Sequence, residues 1–169
     1  RADLELRLRV DQYSHIRAIA RTNDNKLHMV SQYVKASGGC SAPSTANLEA
    51  AMQRLGKVRL QTNKVEHDGP ALVSAQLRIS HPNTTGMQRN QMTQLVYPAH
   101  FVRQVRVTLD GVEIFSADVG ISISENPSFR FYLRDTDPRS LGAGGELIAE
   151  VFDSKENRFV KTAVLSQGS

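Results

Sequence analysis

The residue with the clearest chemical potential is Cys40, the only cysteine in the 169-residue chain. It lies in the stretch Ala36-Ser37-Gly38-Gly39-Cys40-Ser41-Ala42-Pro43-Ser44. Glycine opens backbone conformations that other residues avoid, and small residues offer no large apolar group to anchor a segment. Free cysteines are usually buried and inert, but this composition predicts an exposed thiol on a mobile tether. We interpret Cys40 as a nucleophile or a covalent attachment point, with Gly38 and Gly39 forming a flexible arm.

Catalysis by Cys40 would need a histidine that the fold brings to it, because no histidine lies within five positions. The five candidates are His15, His28, His67, His81 and His100. A mobile segment is a poor place for this pair, since catalysis requires the nucleophile and its base in fixed geometry. We therefore predict no catalytic residues and no cofactor, and a chain that is not an enzyme by itself.

Copper(I) binding is a second alternative, because thioether, thiolate and imidazole groups are ligands that suit this ion. The candidates are Met29, Cys40, Met52, Met87, Met92 and the histidines. No pair has diagnostic spacing, and the adjacent His28 and Met29 would point to opposite faces of a strand. We predict no metal site, and copper(I) delivery remains an alternative function.

The basic residues give a formal charge of +4 but are scattered along the chain. We expect most of them on solvated strand faces: Arg7, Arg9, Arg17, Arg21, Arg54, Lys57, Arg59, Arg103, Arg106, Arg130 and Arg134. No cluster is interleaved with aromatics, which disfavours nucleic acid as a partner. No apolar run approaches the roughly 18 residues that a bilayer requires, so we predict no membrane span. No signal peptide is visible, which predicts a chain that is cytoplasmic or already processed.

Alternation of apolar and polar residues predicts three strands before Cys40. Leu4, Leu6, Leu8 and Val10 share one parity, and residues 15–21 and 27–35 follow with a turn at 23–26. Three strands cannot close a sandwich, which needs about seven. We therefore expect the missing strands to come from upstream residues or from another chain.

After Cys40 the pattern predicts one helix and then seven strands. The helix begins at Ser44 or Thr45, presents a Leu and Met face, and ends at Gly56. The strands are predicted at 57–61, 71–80, 100–109, 112–119, 128–134, 146–153 and 158–165. Asp110-Gly111 predicts a hairpin, because a type I′ turn requires positive φ. We interpret 81–86 as a tight loop at a corner, and the whole region as an immunoglobulin-type sandwich.

Several short blocks resemble the sulfur-oxidation protein SoxZ, and they occur in the same order as in that family. The blocks are His81-Pro82, Thr85-Gly86, Pro98-Ala99-His100-Phe101 and Ile123-Ser124-Glu125-Asn126-Pro127. The region that ends in Gly38-Gly39-Cys40 resembles the C-terminal part of SoxY, whose cysteine carries sulfur intermediates covalently. In SoxY this cysteine sits on a free C-terminal tail, whereas here the chain continues through Ser41-Ala42-Pro43. The arrangement is similar to the fused SoxYZ-like carriers associated with quinoprotein dehydrogenases.

The resemblance implies an all-β chain with an incomplete SoxY-like sandwich at 1–43, a linker helix at 44–57 and a SoxZ-like immunoglobulin-type sandwich at 58–169. It implies a periplasmic carrier that holds a sulfur-containing or other intermediate on Cys40. Its partners would be Sox-type enzymes or other periplasmic oxidoreductases, including a quinoprotein dehydrogenase. The alternative is a structural adaptor for such a dehydrogenase, with the thiol incidental.

Overall fold

The chain is built almost entirely of antiparallel strands. The computed structural model describes residues 3–42, 48–66, 68, 72–134 and 144–165. The elements are β1 Ser14–Arg21, β2 Leu27–Val34, α1 Leu48–Met52, β3 Val58–Val65, β4 Leu72–Ile79, β5 Val102–Leu109, β6 Val112–Asp118, β7 Ser128–Arg134, β8 Glu146–Asp153 and β9 Arg158–Val164. The seven strands predicted after the helix are confirmed, and the largest difference is that β3 continues to Val65.

Two antiparallel sheets form the sandwich that the alternation predicts. One sheet has the order β3-β4-β7, and the other has the order β6-β5-β8-β9. Every second residue of the central strands faces the space between the sheets, because side chains alternate across a strand. The resulting core contains Leu60, Val73, Ala75, Leu77, Ile79, Val102, Val105, Val107, Phe129, Phe131, Leu133, Leu147, Ala149, Val151 and Leu165.

The hairpin between β5 and β6 turns at Asp110 and Gly111, as predicted. Their φ angles are 48° and 81°, so both central residues lie in the left-handed region. A two-residue turn of this kind matches the twist of the flanking strands.

The first forty residues form a different kind of structure. β1 and β2 pair along their full length as a hairpin, and almost all of their side chains are exposed. Residues 4–10, predicted as a strand, instead run along the sandwich and make isolated bridges from Glu5 to Arg130 and from Leu8 to Ile123. The backbone of this segment therefore pairs with the backbone of the sandwich.

The helix α1 is shorter than predicted, and the proposed caps Ser44 and Thr45 lie outside the described residues. The turn after it ends at Gly56, whose φ is 77°. A Cβ at Gly56 would lie 2.3 Å from the Phe159 ring, so only glycine lets this turn approach β9. Within the described residues, none of the helical structure has the length and apolar character that a bilayer span requires.

Candidate functional site

The main chain from Gly38 to Cys40 lies against Val10 and Asp11 of the N-terminal segment. Gly38 N donates to Asp11 O at 2.7 Å, and Gly39 N donates to Val10 O at 3.0 Å. Cys40 N donates to the Asp11 carboxylate at 3.3 Å. A Cβ at Gly39 would lie 2.5 Å from Val10 O, and Gly38 has a φ of 71°. Both glycines are thus needed here for close approach and turn geometry.

Two side chains of the sandwich hold the main chain on the other side of Cys40. Thr85 Oγ1 donates to Cys40 O at 2.5 Å. Gln88 Nε2 donates to Ala42 O at 3.0 Å, and its Oε1 accepts from Thr85 N at 3.2 Å. We call Thr85 and Gln88 the clamp. Both residues are buried, although both are polar, because their polar atoms are satisfied by these bonds.

Cys40 is consequently buried, with only 5% of its surface exposed. The prediction of an exposed thiol is therefore wrong, whereas the flexible arm of Gly38 and Gly39 stays a prediction. The composition of this stretch contains no large side chain that could anchor it. Cys40 is held instead by backbone hydrogen bonds and by Thr85, which lies 45 residues away in the sequence. Cys40 does not belong to the apolar core of the sandwich. It lies in a seam between the N-terminal segment and the sandwich.

Charged groups on the N-terminal segment set the electrostatics of the thiol. Burial raises the pKa of Cys40, the Asp11 carboxylate raises it further, and the Arg9 guanidinium opposes them in part. Arg9 is half-buried, and its Nη1 donates to the carbonyl oxygens of Asn83 at 3.0 Å and Ile123 at 2.7 Å. The expectation that Arg9 lies on a solvated face is therefore wrong, because these distant carbonyls draw it inward. In this state the thiol stays protonated and weakly nucleophilic.

A buried polar network anchors the loop that carries the clamp. His100 Nε2 lies 2.7 Å from Asp153 Oδ2, and His81 Nε2 lies 3.5 Å from the same oxygen. Thr84 bridges to His100, with His100 N donating to Thr84 O at 3.0 Å. The network thus fixes the loop at His81 and at Thr84, next to Thr85. The corner predicted at 81–86 is a loop in which residues 81–85 are buried, and its buried side-chain polar atoms all have hydrogen-bond partners.

The remaining lone pairs of Asp153 are also occupied. Oδ1 accepts from the backbone N–H groups of Lys155 at 2.8 Å and Asn157 at 3.0 Å, and Oδ2 accepts from Asn157 Nδ2 at 2.8 Å. Burial raises the pKa of Asp153, but the bonds from Asn157, His100 and Lys155 outweigh it and lower the value to about 2. Burial, with His100 nearby, lowers the pKa of His81 to about 4. At neutral pH, His81 is neutral and Asp153 is charged.

We tested whether His81, His100 and Asp153 could hold a metal ion, since their ligand atoms lie within 4.8 Å of one another. His81 Nδ1 accepts from Asn83 N at 3.0 Å, which places the ring proton of the neutral imidazole on Nε2. A protonated Nε2 is a donor and cannot be a ligand. The oxygens of Asp153 already accept several hydrogen bonds. The three residues fit a proton-bonded structural network and do not fit a metal centre.

Within the described residues, Cys40 belongs to no group of three metal-ligating side chains. The hydrogen bonds of the Cys40 main chain go to Asp11 and Thr85, and no histidine is among them. Met29, Met52, Met87 and Met92 are all exposed. Among the described residues, His81, His100 and Asp153 are the only group of three with metal-ligand atoms in reach. His67 and Pro43 lie outside the described residues.

Sequence reasoning missed the side chains that bond to the main chain at Cys40 and Ala42, namely Asp11, Thr85 and Gln88. Hydropathy cannot identify them, because polar residues are normally expected in solvent. The useful signal was the block Thr85-Gly86, which drew attention to this loop without showing its contact with Cys40.

Comparison with known proteins gives two family matches and two similar structures. Residues 59–164 match the model of the family "Sulphur oxidation protein SoxZ", and residues 1–40 match that of "Sulfur oxidation protein SoxY". No match to a curated protein was found. A superoxide reductase from Nanoarchaeum equitans aligns with a TM-score of 0.39 and 11% identity, covering 63% of this chain and 90% of its own. A superoxide reductase in the oxidized state aligns with a TM-score of 0.40 and 13% identity, covering 63% and 86%. Both scores are too low to assign fold or function.

The SoxZ match covers more than half of the chain and spans the whole described sandwich, from β3 to β9. The SoxY match ends at Cys40, in the seam where the two parts meet. The chain belongs to the SoxZ family and is a fused SoxY/SoxZ-like protein of sulfur oxidation.

Proposed function

We propose that this protein is a periplasmic carrier that holds a sulfur-containing intermediate covalently on Cys40 and presents it to partner enzymes. The observation that carries the proposal is the position of the only thiol, in the seam between the SoxY-like segment and the SoxZ-like sandwich. Membership of the two families supports a carrier role in sulfur oxidation in general. The protein itself would bind and present, and the partner enzymes would do the chemistry.

The buried position of Cys40 is interpreted as a docked state that protects the thiol. With 5% exposure and a raised pKa, the thiol is shielded from solvent reactants and is weakly nucleophilic. A carrier must keep its sulfur from adventitious reaction between two enzymes. It must also release the segment when an enzyme is bound.

Release is feasible because the docking is made of a few separable bonds. The clamp contributes two hydrogen bonds, each with a net value of about 1 kcal/mol. Cys40 lies outside the apolar core, so lifting its segment leaves the sandwich packed. Docked and released states can therefore interconvert without unfolding.

Attachment through an S–S bond requires no external oxidant if it proceeds by exchange. The Cys40 thiolate attacks one sulfur of an existing S–S bond, and the second sulfur leaves as a thiolate. The proton of the Cys40 thiol goes to solvent. Detachment by another thiolate is the reverse reaction.

The partners that we propose are Sox-type enzymes or other periplasmic oxidoreductases, including a quinoprotein dehydrogenase. The apolar side chains exposed on β1 and β2 support the expectation that further SoxY-like strands cover this hairpin. Among them are Ile19, Leu27, Met29 and Val30, each more than 60% exposed. These strands would come from the same polypeptide or from another chain.

Intact-mass measurement of protein purified from its native host under non-reducing conditions tests the carrier role. We expect an added mass on the single cysteine that reductant removes. Cys40→Ser should then abolish sulfur-oxidation flux while partner binding persists. A bare thiol in the native protein together with full flux in Cys40→Ser would instead support the structural adaptor.

The docked state has its own test in the alkylation rate of Cys40, which reports on one residue because the chain has no other cysteine. Thr85→Val removes the bond to Cys40 O, and we expect alkylation to accelerate about two- to tenfold. Thr162→Val is the matched control, since it makes the same change at an exposed position on β9, outside the loop that carries the clamp. Equal rates in the two variants would contradict the clamp.

A further inference from the structure

A basic cavity lies on the outer face of the three-stranded sheet. It has a volume of about 470 Å³ and is lined by four arginines, Arg7, Arg54, Arg59 and Arg78. Leu60 and Leu77 point into the core, so the alternation turns Arg59 and Arg78 outward. Arg7 comes from the N-terminal segment and Arg54 from the turn after α1. The fold thus brings together four arginines that are scattered along the sequence.

These four arginines have no carboxylate partner within the described part of the chain. Other arginines there do, as in the pairs Arg130–Glu5 at 2.7 Å and Arg106–Glu113 at 3.2 Å. Arg78 Nη2 donates to Gln76 Oε1, a neutral group, at 2.9 Å. The cavity therefore concentrates positive charge without internal compensation.

Two of these arginines are placed directly opposite each other. Arg59 and Arg78 are register partners across β3 and β4. Like charges at such positions are destabilising, because their side chains leave the same face only a few ångströms apart. An anion bound between the two guanidinium groups would be attracted to both and would offset their mutual repulsion.

The backbone that carries the arginines is fixed by hydrogen bonds from separate parts of the chain. Gly56 N donates to Ser80 O at 3.0 Å, and Ser80 N donates to Lys57 O at 2.9 Å, which ties the turn bearing Arg54 to the end of β4. Ser124 N donates to Arg7 O at 3.2 Å. The cavity is thus formed before any ligand arrives, which lowers the ordering cost of binding.

We propose that this cavity binds a small oxoanion carrying at least two negative charges, of the sulfate or phosphate type. Guanidinium groups recognise such oxygens through paired N–H donors, and the lining adds the Ser128 hydroxyl and the Asn126 amide. The volume lies in the range of small-ligand sites and leaves room for the anion with bound water. The cavity contains neither Thr85 nor Gln88. The proposal of anion binding can therefore be tested independently of the carrier role.

Calorimetric titration of the full chain with sodium sulfate and with sodium phosphate, against sodium chloride at equal ionic strength, tests the site. We expect saturable binding of the two multivalent anions and none of chloride. The double variant Arg59→Gln/Arg78→Gln should raise the dissociation constant for each anion at least tenfold. Its melting temperature in chloride buffer should rise, because the repulsion between the paired arginines is gone.

Arg17→Gln/Arg21→Gln on the exposed hairpin is the matched control, since it removes the same charge outside the cavity and should retain the binding. Arg54→Gln serves as a second cavity variant if the double variant fails to fold. Equal heats for all three salts, or an equal loss in the control, would overturn the proposal. So would an acidic peptide that binds tenfold more tightly than either anion, since the cavity would then be a protein-docking site.

Discussion

The sandwich and the N-terminal segment of residues 3–34 are stabilised in different ways. In the sandwich, alternate residues of the central strands are fully covered, as Leu77, Val105 and Leu147 are at 0% exposure. In the segment, β1 and β2 pair well with each other but leave both faces to solvent. A two-stranded hairpin with no covered face has little independent stability. The sandwich therefore supports itself, whereas the segment is held by its contacts with the sandwich.

The difference explains where the thiol lies. A thiol in the apolar core could not reach a partner enzyme unless the sandwich unfolded, and a thiol on the exposed hairpin would not be protected from solvent. Cys40 lies between the two regions, covered by the sandwich loop on one side and by Asp11 and Val10 on the other.

Truncation of one apolar side chain in each region is the strongest way to test the contrast. Leu77→Ala should lower the free energy of unfolding by about 3 to 5 kcal/mol, because it leaves a cavity in the core. In this chain without further SoxY-like strands, Ile19→Ala on the exposed hairpin should change it by less than about 0.5 kcal/mol. Denaturant unfolding monitored by circular dichroism measures both. A loss above about 1 kcal/mol for Ile19→Ala would show that the hairpin is covered in solution.

Acid sensitivity should also originate in the sandwich. His81 takes up a proton near pH 6.5 when unfolded but only near pH 4 when folded. Between these values the unfolded state binds more protons, so stability falls as the pH is lowered through this window. The full effect is about 3 kcal/mol. Asp153, with a pKa of about 2, adds a further loss only below its ordinary value of 3.8.

Urea unfolding between pH 7 and pH 4 checks this expectation. His81→Gln should flatten the dependence on pH, whereas His28→Gln on the exposed hairpin should leave it unchanged. An unaltered slope in His81→Gln would mean that the buried network does not control acid stability.

A smaller change at the seam should affect docking without affecting the sandwich. Gly39→Ala places a Cβ 2.5 Å from Val10 O, so the segment must shift away. The loss of about 1 kcal/mol of docking free energy corresponds to about fivefold faster alkylation of Cys40. Gly120→Ala is the control, because nothing lies within 4 Å of a Cβ there. Identical alkylation rates would argue that Gly39 does not contribute to docking.

Much of the sandwich was predictable because its rules are local. Alternation located the strands β4 and β7, and Asp110-Gly111 identified the hairpin turn. Residues 4–10 show why alternation alone is insufficient. Their parity is that of a half-buried strand, yet they pair with a loop and a sheet edge more than a hundred residues away and stay partly exposed.

The site was predictable only in part. Composition identified Cys40 as unusual, but it could not reveal burial that arises from main-chain bonds to Val10 and Asp11 and from a distant threonine. The cluster of His81, His100 and Asp153 has no spacing signal, since its members lie on three separate segments. The four cavity arginines become neighbours only through strand register and the turn at Gly56.

The clamp bears on how the proposed carrier would accommodate an adduct on Cys40. Thr85 and Gln88 grip carbonyl oxygens of the main chain and leave the sulfur untouched. These two bonds therefore do not involve the sulfur, whereas the burial of Cys40 leaves little space for an adduct in the docked state. Arg9 and Asp11 both interact electrostatically with Cys40 and carry opposite charges. In the proposed carrier, they would therefore attract or repel an adduct according to the sign of its charge.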